Sequence, residues 1–355
     1  MITTLKAVCS ELHSGKSIPA KEISKEGRYP VIGGNGLRGY TDRYNFDGEC
    51  AVIGRQGAAC GNVRYHSGKA YMTEHAVIAR ANGDNDSRYL AYLLSTANLG
   101  RLSAQSAQPG ISVKTLGKQT FDLPSHRTQQ QVAALLGSFD NKIEANQQTN
   151  DYLAAICDVA FSEQFGNTDD NAVLSDIADI TMGQSPSGKS YNEEGKGTVF
   201  YQGRGEFGWR FPTQRLFTTE PKRMVAAGDV LMSVRAPVGD LNVAYEDCCI
   251  GRGLAAIHSQ YPSFCLYLLR SLSRRLNAYN SEGTVFGSIN GKTLKALKIA
   301  LPDKKSIESF EAKADPIDVQ IKINEVESRN LIMLRDALLP KLMTGEIDPL
   351  GGCLA

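Results

Sequence analysis

No stretch of the chain offers 18 consecutive apolar residues, so no segment reads as a membrane-spanning helix. The opening residues, MITTLKAVCSELHSGKS, lack the basic-then-apolar order of an export signal. Eight cysteines occur, at 9, 50, 60, 157, 248, 249, 265 and 353, with no C-x-x-C pair and no framework spacing. They read as reduced, mostly buried thiols of a cytoplasmic protein. Five scattered histidines show no metal-ligand spacing, so neither a metal nor a cofactor is expected. No N-P-P-[YF] methyltransfer loop is present, and no G-x-G-x-x-G opens a recognisable Rossmann unit. One nuclease-like pattern, Pro302 and Asp303 followed by Glu311 and Lys313, places its last two members on different faces of a helix rather than on adjoining strands. These absences argue against a catalyst and leave binding as the task.

Net charge is also nearly absent, at +1 over 355 residues, but it is unevenly distributed. Residues 1–124 carry a net +5 and residues 181–300 a net +6, while 125–180 carry −7 and 301–355 carry −3. Two basic blocks therefore alternate with two acidic ones. Basic blocks suit a polyanion.

The alternation is matched by a repeat. GNGLRGY (34–40) answers GRGEFGW (203–209), and KTLGKQTFDLP (114–124) answers KTLKALKIALP (292–302). DGECAVIGRQGAACGNVRY (47–65) answers AGDVLMSVRAPVGDLNVAY (227–245), which sets Gly48, Arg55, Asn62, Val63 and Tyr65 on Gly228, Arg235, Asn242, Val243 and Tyr245. Leu5 and Val8 answer Leu174 and Ile177, and Gly15 falls near Gly183. Each basic block reads as short strands broken by Gly, Asn and Asp: CAVIGR, NVRYH and HAVIAR, then VFYQG, DVLMSV, LNVAY and LAAIH. One helix interrupts each, SRYLAYLLST (87–96) and SFCLYLLRSLSRRL (263–276).

After Pro124 and Pro302 the period becomes helical. Positions 132, 136, 139, 143, 146, 150 and 153 read Val, Leu, Phe, Ile, Asn, Asn, Leu; positions 310, 314, 317, 321, 324, 328 and 331 read Phe, Ala, Ile, Ile, Asn, Ser, Leu. This 4-3-4-3 spacing is a coiled-coil seam. Two helices of about 38 residues, roughly 57 Å each at ~1.5 Å per residue, are best buried against each other, antiparallel. Asn146 and Asn324 share one heptad place, where a buried amide would fix register; the other reading is that both face solvent at a fraying seam. The expected fold is α+β: two strand-rich globular domains (1–124 and 168–304) joined by two long helices (125–167 and 305–345) packed as an antiparallel coiled coil. The internal repeat has pseudo-two-fold character. Residues 346–355 read as a flexible tail.

MGQSPSGKSYN (182–192) carries Gly183, Gly188, Lys189 and Ser190 at P-loop spacing. A P-loop needs a helix behind it to point backbone N–H groups at phosphate. Here a glycine-rich segment without helical period follows.

The order globular–helix–globular–helix, with YPVIGGNGLRGY, GRQGAACGNV, FDNKIEANQ, ITMGQSPSGKSYN and the terminal LRDALLPKLMTGEI, resembles the specificity subunit of a type I restriction–modification enzyme. The resemblance implies that the globular parts are target-recognition domains, each reading one half of a split double-stranded DNA site. It implies that the helices set the gap between the halves and dock two methyltransferase subunits, joined by restriction and translocase subunits. The chain itself would be non-catalytic.

Within that frame, arginines in glycine-rich turns can pair with guanine or clamp phosphate. The candidate DNA contacts are Arg38 and Arg55 in the first domain and Arg204, Arg210 and Arg235 in the second, with Lys114 and Lys292 as phosphate contacts. Arg55 and Arg235 fall on each other in the repeat. Readers of different half-sites should differ, so these two read as phosphate contacts or ion pairs. Positions that differ, such as Arg38 against Phe207, suit base choice better; Asn62 and Asn242 suit a turn. Two other readings stand beside this one: a nucleotide-binding protein using residues 183–190, and an adaptor that binds protein alone.

Overall fold

The computed structural model describes residues 2–103, 110–280 and 287–349, in two compact units. The first comprises residues 1–146 and 326–355, the second 147–325. The division falls within the long helices, so each unit holds one globular part and half of each helix.

In the first unit six strands form one sheet, in the order Cys9–Ser14, Ala76–Ala81, Phe46–Gly54, Val63–Met72, Tyr29–Gly33, Gly36–Thr41. All neighbours are antiparallel except Tyr29–Gly33 with Val63–Met72. The central strands are buried on both faces. Ala51, Ile53, Val77 and Ala79 pack with Leu90 and Leu94 of the helix Ser87–Thr96. Cys50, Val52, Ala76 and Ile78 face the other way, with Phe46 and Met72. This alternation follows from the two-residue period of a strand.

The second unit repeats the scaffold. Its four-stranded sheet runs Asp179–Met182, Leu254–His258, Val230–Ser233, Leu241–Val243, all antiparallel. A parallel pair, Thr198–Tyr201 with Cys248–Ile250, matches the parallel pair of the first unit. The repeat extends to single hydrogen bonds. Leu5 N donates to Gln119 O at 2.8 Å and Leu174 N to Leu297 O at 2.9 Å; Gly15 N donates to Ala76 O at 3.0 Å and Gly183 N to Leu254 O at 2.9 Å. Leu5 and Leu174 are both fully buried.

The strand-by-strand register corrects part of the repeat inferred from sequence. Arg55 N donates to His75 O and Ile111 N to Arg55 O, whereas Val234 N donates to Gly253 O and Ile289 N to Val234 O. Val234, not Arg235, is thus the counterpart of Arg55. The isolated bridges Gln56–Gly110 and Arg235–Ser288 pair Arg235 with Gln56. Likewise Gly54 N donates to Asn62 O and Ser233 N to Asp240 O, so Asn62 answers Asp240 rather than Asn242. The second turn is one residue shorter, and an alignment without gaps drifts across it.

The long helices are His126–Phe165 and Lys304–Thr344. Within the first unit Asp140 meets Arg335 at 2.8 Å and Asn146 reaches Glu327 and Ser328; within the second Asn150 reaches Ile321 and Phe161 meets Phe310 edge to face. Rising numbers on one helix meet falling numbers on the other, which is antiparallel packing. Both seam asparagines are buried. Asn146 donates to Glu327 Oε2 at 2.9 Å and Ser328 Oγ at 3.2 Å; Asn324 donates to Asn150 Oδ1 at 2.8 Å and accepts from Gln320. The Asn146 amide and then Lys142 hold the Glu327 carboxyl below its usual range.

The helical acids do more than face solvent. Asp140 accepts from the Tyr92 hydroxyl, and Arg88 donates to Gly137 O and Asn141 Oδ1 at 3.0 and 2.9 Å. Asp158 takes Arg270 through two contacts of 2.7 and 2.5 Å. Glu311 accepts from the backbone N–H groups of Ser263 and Phe264 at 3.1 and 2.7 Å, capping the helix Pro262–Ser271. Asp303 accepts from the first N–H groups of the second long helix. The nuclease-like residues Asp303 and Glu311 are thus both helix caps.

Two boundaries differ from expectation. The helix expected over 263–276 is broken at Leu272 into Pro262–Ser271 and Ser273–Ala278, beside a Ser271 hydroxyl that donates back to Leu268 O. Within the tail expected from 346, Ile347 instead packs onto the cluster of Leu342, Val132 and Leu136, while residues 350–355 lie outside the described residues. Seven cysteines are free thiols, and burial pushes Cys9, Cys50, Cys248 and Cys265 up to about 12, far from reactive thiolates. Cys353 lies outside the described residues.

Candidate nucleic-acid interface

In each unit the turns at one end of the central sheet converge. In the first, Gly54 brings the 54–62 turn against the 33–36 turn: a Cβ there would fall 2.1 Å from Ala59 O and 2.8 Å from Gly34 O. Only glycine permits that approach. Arg55 is half-buried; its Nη1 donates to Ser14 Oγ at 3.3 Å, and its carbonyl accepts from Ile111 N and Cys60 Sγ. Gln56, beside it, is exposed, with Oε1 3.0 Å from His75 Nδ1. Arg38 is exposed on the strand Gly36–Thr41, its stem lying over Gly33.

In the second unit the same end gathers the 202–206, 233–240 and 251–253 turns. Gly253 N donates to Gln202 O at 3.3 Å, and Ser233 Oγ donates to Pro237 O at 2.7 Å. Arg235 is exposed at its bridge to Ser288. Arg204 is exposed and ion-paired with Asp240. Pairs at such exposure are worth ~0–1 kcal/mol, so Arg204 can exchange its partner for a phosphate at little cost.

Lys114 and Lys292 occupy matching single-turn helices, Val113–Gly117 and Gly291–Lys295. Ser112 Oγ caps one by accepting from Thr115 N at 3.0 Å, and Asn290 Oδ1 the other from Thr293 N at 2.9 Å. Both lysines are exposed. Lys292 lines an open cleft of about 690 Å³ with Arg223, Lys295, Thr181 and Met182. Arg223, Lys295 and Gln56 were missed in the sequence. Lys295 follows Lys292 in KTLK and could have been found there; Arg223 reaches the cleft only through the fold.

Arg210 does not belong with the others. It is 4% exposed, and its Nη1 donates to Asp318 Oδ1 at 3.2 Å. Its guanidinium lies 5.3 Å from the Trp209 ring centre and 5.7 Å from that of Tyr267. Asp318 also accepts from Ser263 Oγ at 2.7 Å and Tyr267 OH at 3.0 Å. Contrary to the exposed role expected from sequence, Arg210 is therefore an internal tie between a turn of the globular part and the second long helix.

The P-loop-like stretch has other work. Gly188–Ser190 form one 3-10 turn, and a strand, Tyr191–Asn192, follows instead of a helix. The Ser190 hydroxyl, buried, donates to Ser187 O and contacts Thr218 Oγ1, both at 2.7 Å. Gly183 lies where a Cβ would fall 2.1 Å from Gly251 O, which explains its glycine without a phosphate.

The family model of the type I restriction modification DNA specificity domain matches residues 2–155 and again 170–325. A protein of Methanocaldococcus jannaschii, named for the type I restriction enzyme MjaX specificity subunit, is 31% identical over 320 residues, covering 81% of this chain and 75% of that one. The type I restriction enzyme EcoprrI specificity subunit of Escherichia coli is 38% identical over 134 residues, covering 37% of this chain and 33% of its own. The fold is similar to the crystal structure of the type I restriction-modification S subunit from M. genitalium, with TM-score 0.67 at 18% identity, covering 96% of this chain and 95% of that one. Two tandem matches, a repeated hydrogen-bond scaffold and two seamed helices converge on one assignment: the chain belongs to the type I restriction–modification specificity subunits.

Proposed function

We propose that each globular part reads one half of a split double-stranded DNA site, while the long helices carry two methyltransferase subunits to which restriction and translocase subunits add. The carrying observation is one backbone scaffold used twice, each copy presenting different exposed side chains from the same turns. Phosphate contacts position a protein and base contacts specify, so a shared scaffold with divergent loops suits two half-sites. Candidate phosphate contacts are Lys114, Arg204 and Lys292, while Arg38 suits base choice. A protein partner is supported by Tyr152, Ile156 and Val159, which lie at helical spacing on the first long helix and are 71%, 56% and 56% exposed. The chemistry belongs to the partners in this reading; the specificity subunit supplies address and frame.

The test is DNA binding by the complex with its methyltransferase subunits, titrated with salt. Affinity is expected to fall linearly on a log–log plot, with a slope of about −0.9 for each phosphate neutralised. Affinity insensitive to salt, or none, would favour the protein-only adaptor. The nucleotide-binding alternative requires ATP affinity that Lys189→Ala abolishes; the absence of a helix behind Ser190 predicts none to abolish.

A further inference from the structure

We propose that Gln56 and Arg235 are the same base-reading position in the two halves, with Gln56 selecting an A·T pair in one half-site and Arg235 a G·C pair in the other. The inference rests on the DNA-reading function proposed above and specifies where the reading is done.

The equivalence comes from backbone hydrogen bonds, not from residue identity. Each residue follows the residue whose N–H and C=O tie three segments together: Arg55 to His75 and Ile111, Val234 to Gly253 and Ile289. Each forms an isolated antiparallel bridge to the matching neighbour, Gln56 to Gly110 and Arg235 to Ser288. Both are exposed at the end of a central strand, Phe46–Gly54 or Val230–Ser233. The backbone is thus held in the same way twice, and only the side chain changes.

The change is the one base recognition calls for. A glutamine amide pairs bidentately with N6 and N7 of adenine, and an arginine fork with O6 and N7 of guanine. Two domains that share phosphate contacts but read different sequences must differ at matched base-facing positions. Lys114 and Lys292 show the opposite behaviour: matched turns with the same residue, as a phosphate contact allows. The flanking residue is constrained as well. Arg55 is directed to Ser14 Oγ, and His75 Nδ1 at 3.0 Å fixes the orientation of the Gln56 amide, so the amide arrives with less freedom to lose.

The experiment is selection from a duplex library randomised across the site, using the complex with its methyltransferase subunits. The wild-type complex should return a split motif. Gln56→Arg should replace A·T by G·C at one position of one half, with a preference of about ten- to a hundredfold, and leave the other half unchanged. Arg235→Gln should do the reverse in the other half. Gln56→Ala and Arg235→Ala should each relax that single position. The untouched half reports that each variant is folded. A motif unchanged in the variants, with affinity altered uniformly, would make these residues phosphate contacts and overturn the inference while leaving DNA reading intact. No split motif from the wild type would overturn DNA reading, and the inference with it.

Discussion

Replacing Arg210 by alanine is expected to cost the second unit about 3–5 kcal/mol, because removal of one partner strands a buried charge. The stranded charge is Asp318, which would keep only the Ser263 and Tyr267 hydroxyls. Arg210→Lys should recover little, since an ammonium cannot reproduce the planar contact with Trp209 and Tyr267. Denaturant unfolding should show the loss in the residues 147–325 unit, with the other unit unchanged. A folded, equally stable variant that has lost DNA affinity would return Arg210 to the set of DNA contacts.

Phe310→Ala is expected to destabilise the same unit by about 3–5 kcal/mol. Phe310 is 2% exposed and stands among four rings: Phe161 at 5.4 Å, Phe165 at 5.8 Å, Tyr267 at 5.9 Å and Phe264 at 6.3 Å between centroids. These rings come from both long helices and from the helix Pro262–Ser271. Truncation would open a cavity where three elements meet, and aromatic contacts add to the area lost. Phe310→Leu should cost much less. Arg210 and Phe310 share Tyr267, so the double variant should depart from the sum of the singles. A midpoint shift equivalent to under ~1 kcal/mol for Phe310→Ala would show that the site refills and that the rings are not the anchor.

Periodic features were the most legible in the sequence. The seam located both helices, and the change of pattern after Pro124 and Pro302 their starts, as His126–Phe165 and Lys304–Thr344 show, because a 4-3-4-3 pattern over seven positions has few other solutions. The heptad place shared by Asn146 and Asn324 was visible for the same reason, but not that both are buried. Strands such as Phe46–Gly54 and Ala76–Ala81 were visible as apolar runs, whereas Cys9–Ser14, with polar residues at most positions, carried too little pattern to be seen.

Register was legible only approximately. Shared letters placed Arg55 on Arg235, but the strand ladders set Gly54 on Ser233 and so Gln56 on Arg235, and the shorter second turn adds one more residue of drift only beyond that point. A side chain's neighbours depend on the ladder, and a one-residue slip changes them all. Arg210 failed for a related reason. Its partner Asp318 lies 108 residues away, and nothing local distinguishes an arginine that will be buried from one that will not. Arg38, Lys114, Arg204, Arg235 and Lys292, by contrast, lie exposed, as cations in polar turns usually do.

The most direct test is methylome sequencing of a host that carries the chain with its methyltransferase partner, with and without the gene, and with residues 1–124 replaced by those of another specificity subunit. A split methylation motif should depend on the gene, and the replacement should change one half while the other half and the gap persist. A continuous motif, a replacement that rewrites both halves, or no mark that depends on the gene would contradict one domain reading one half-site.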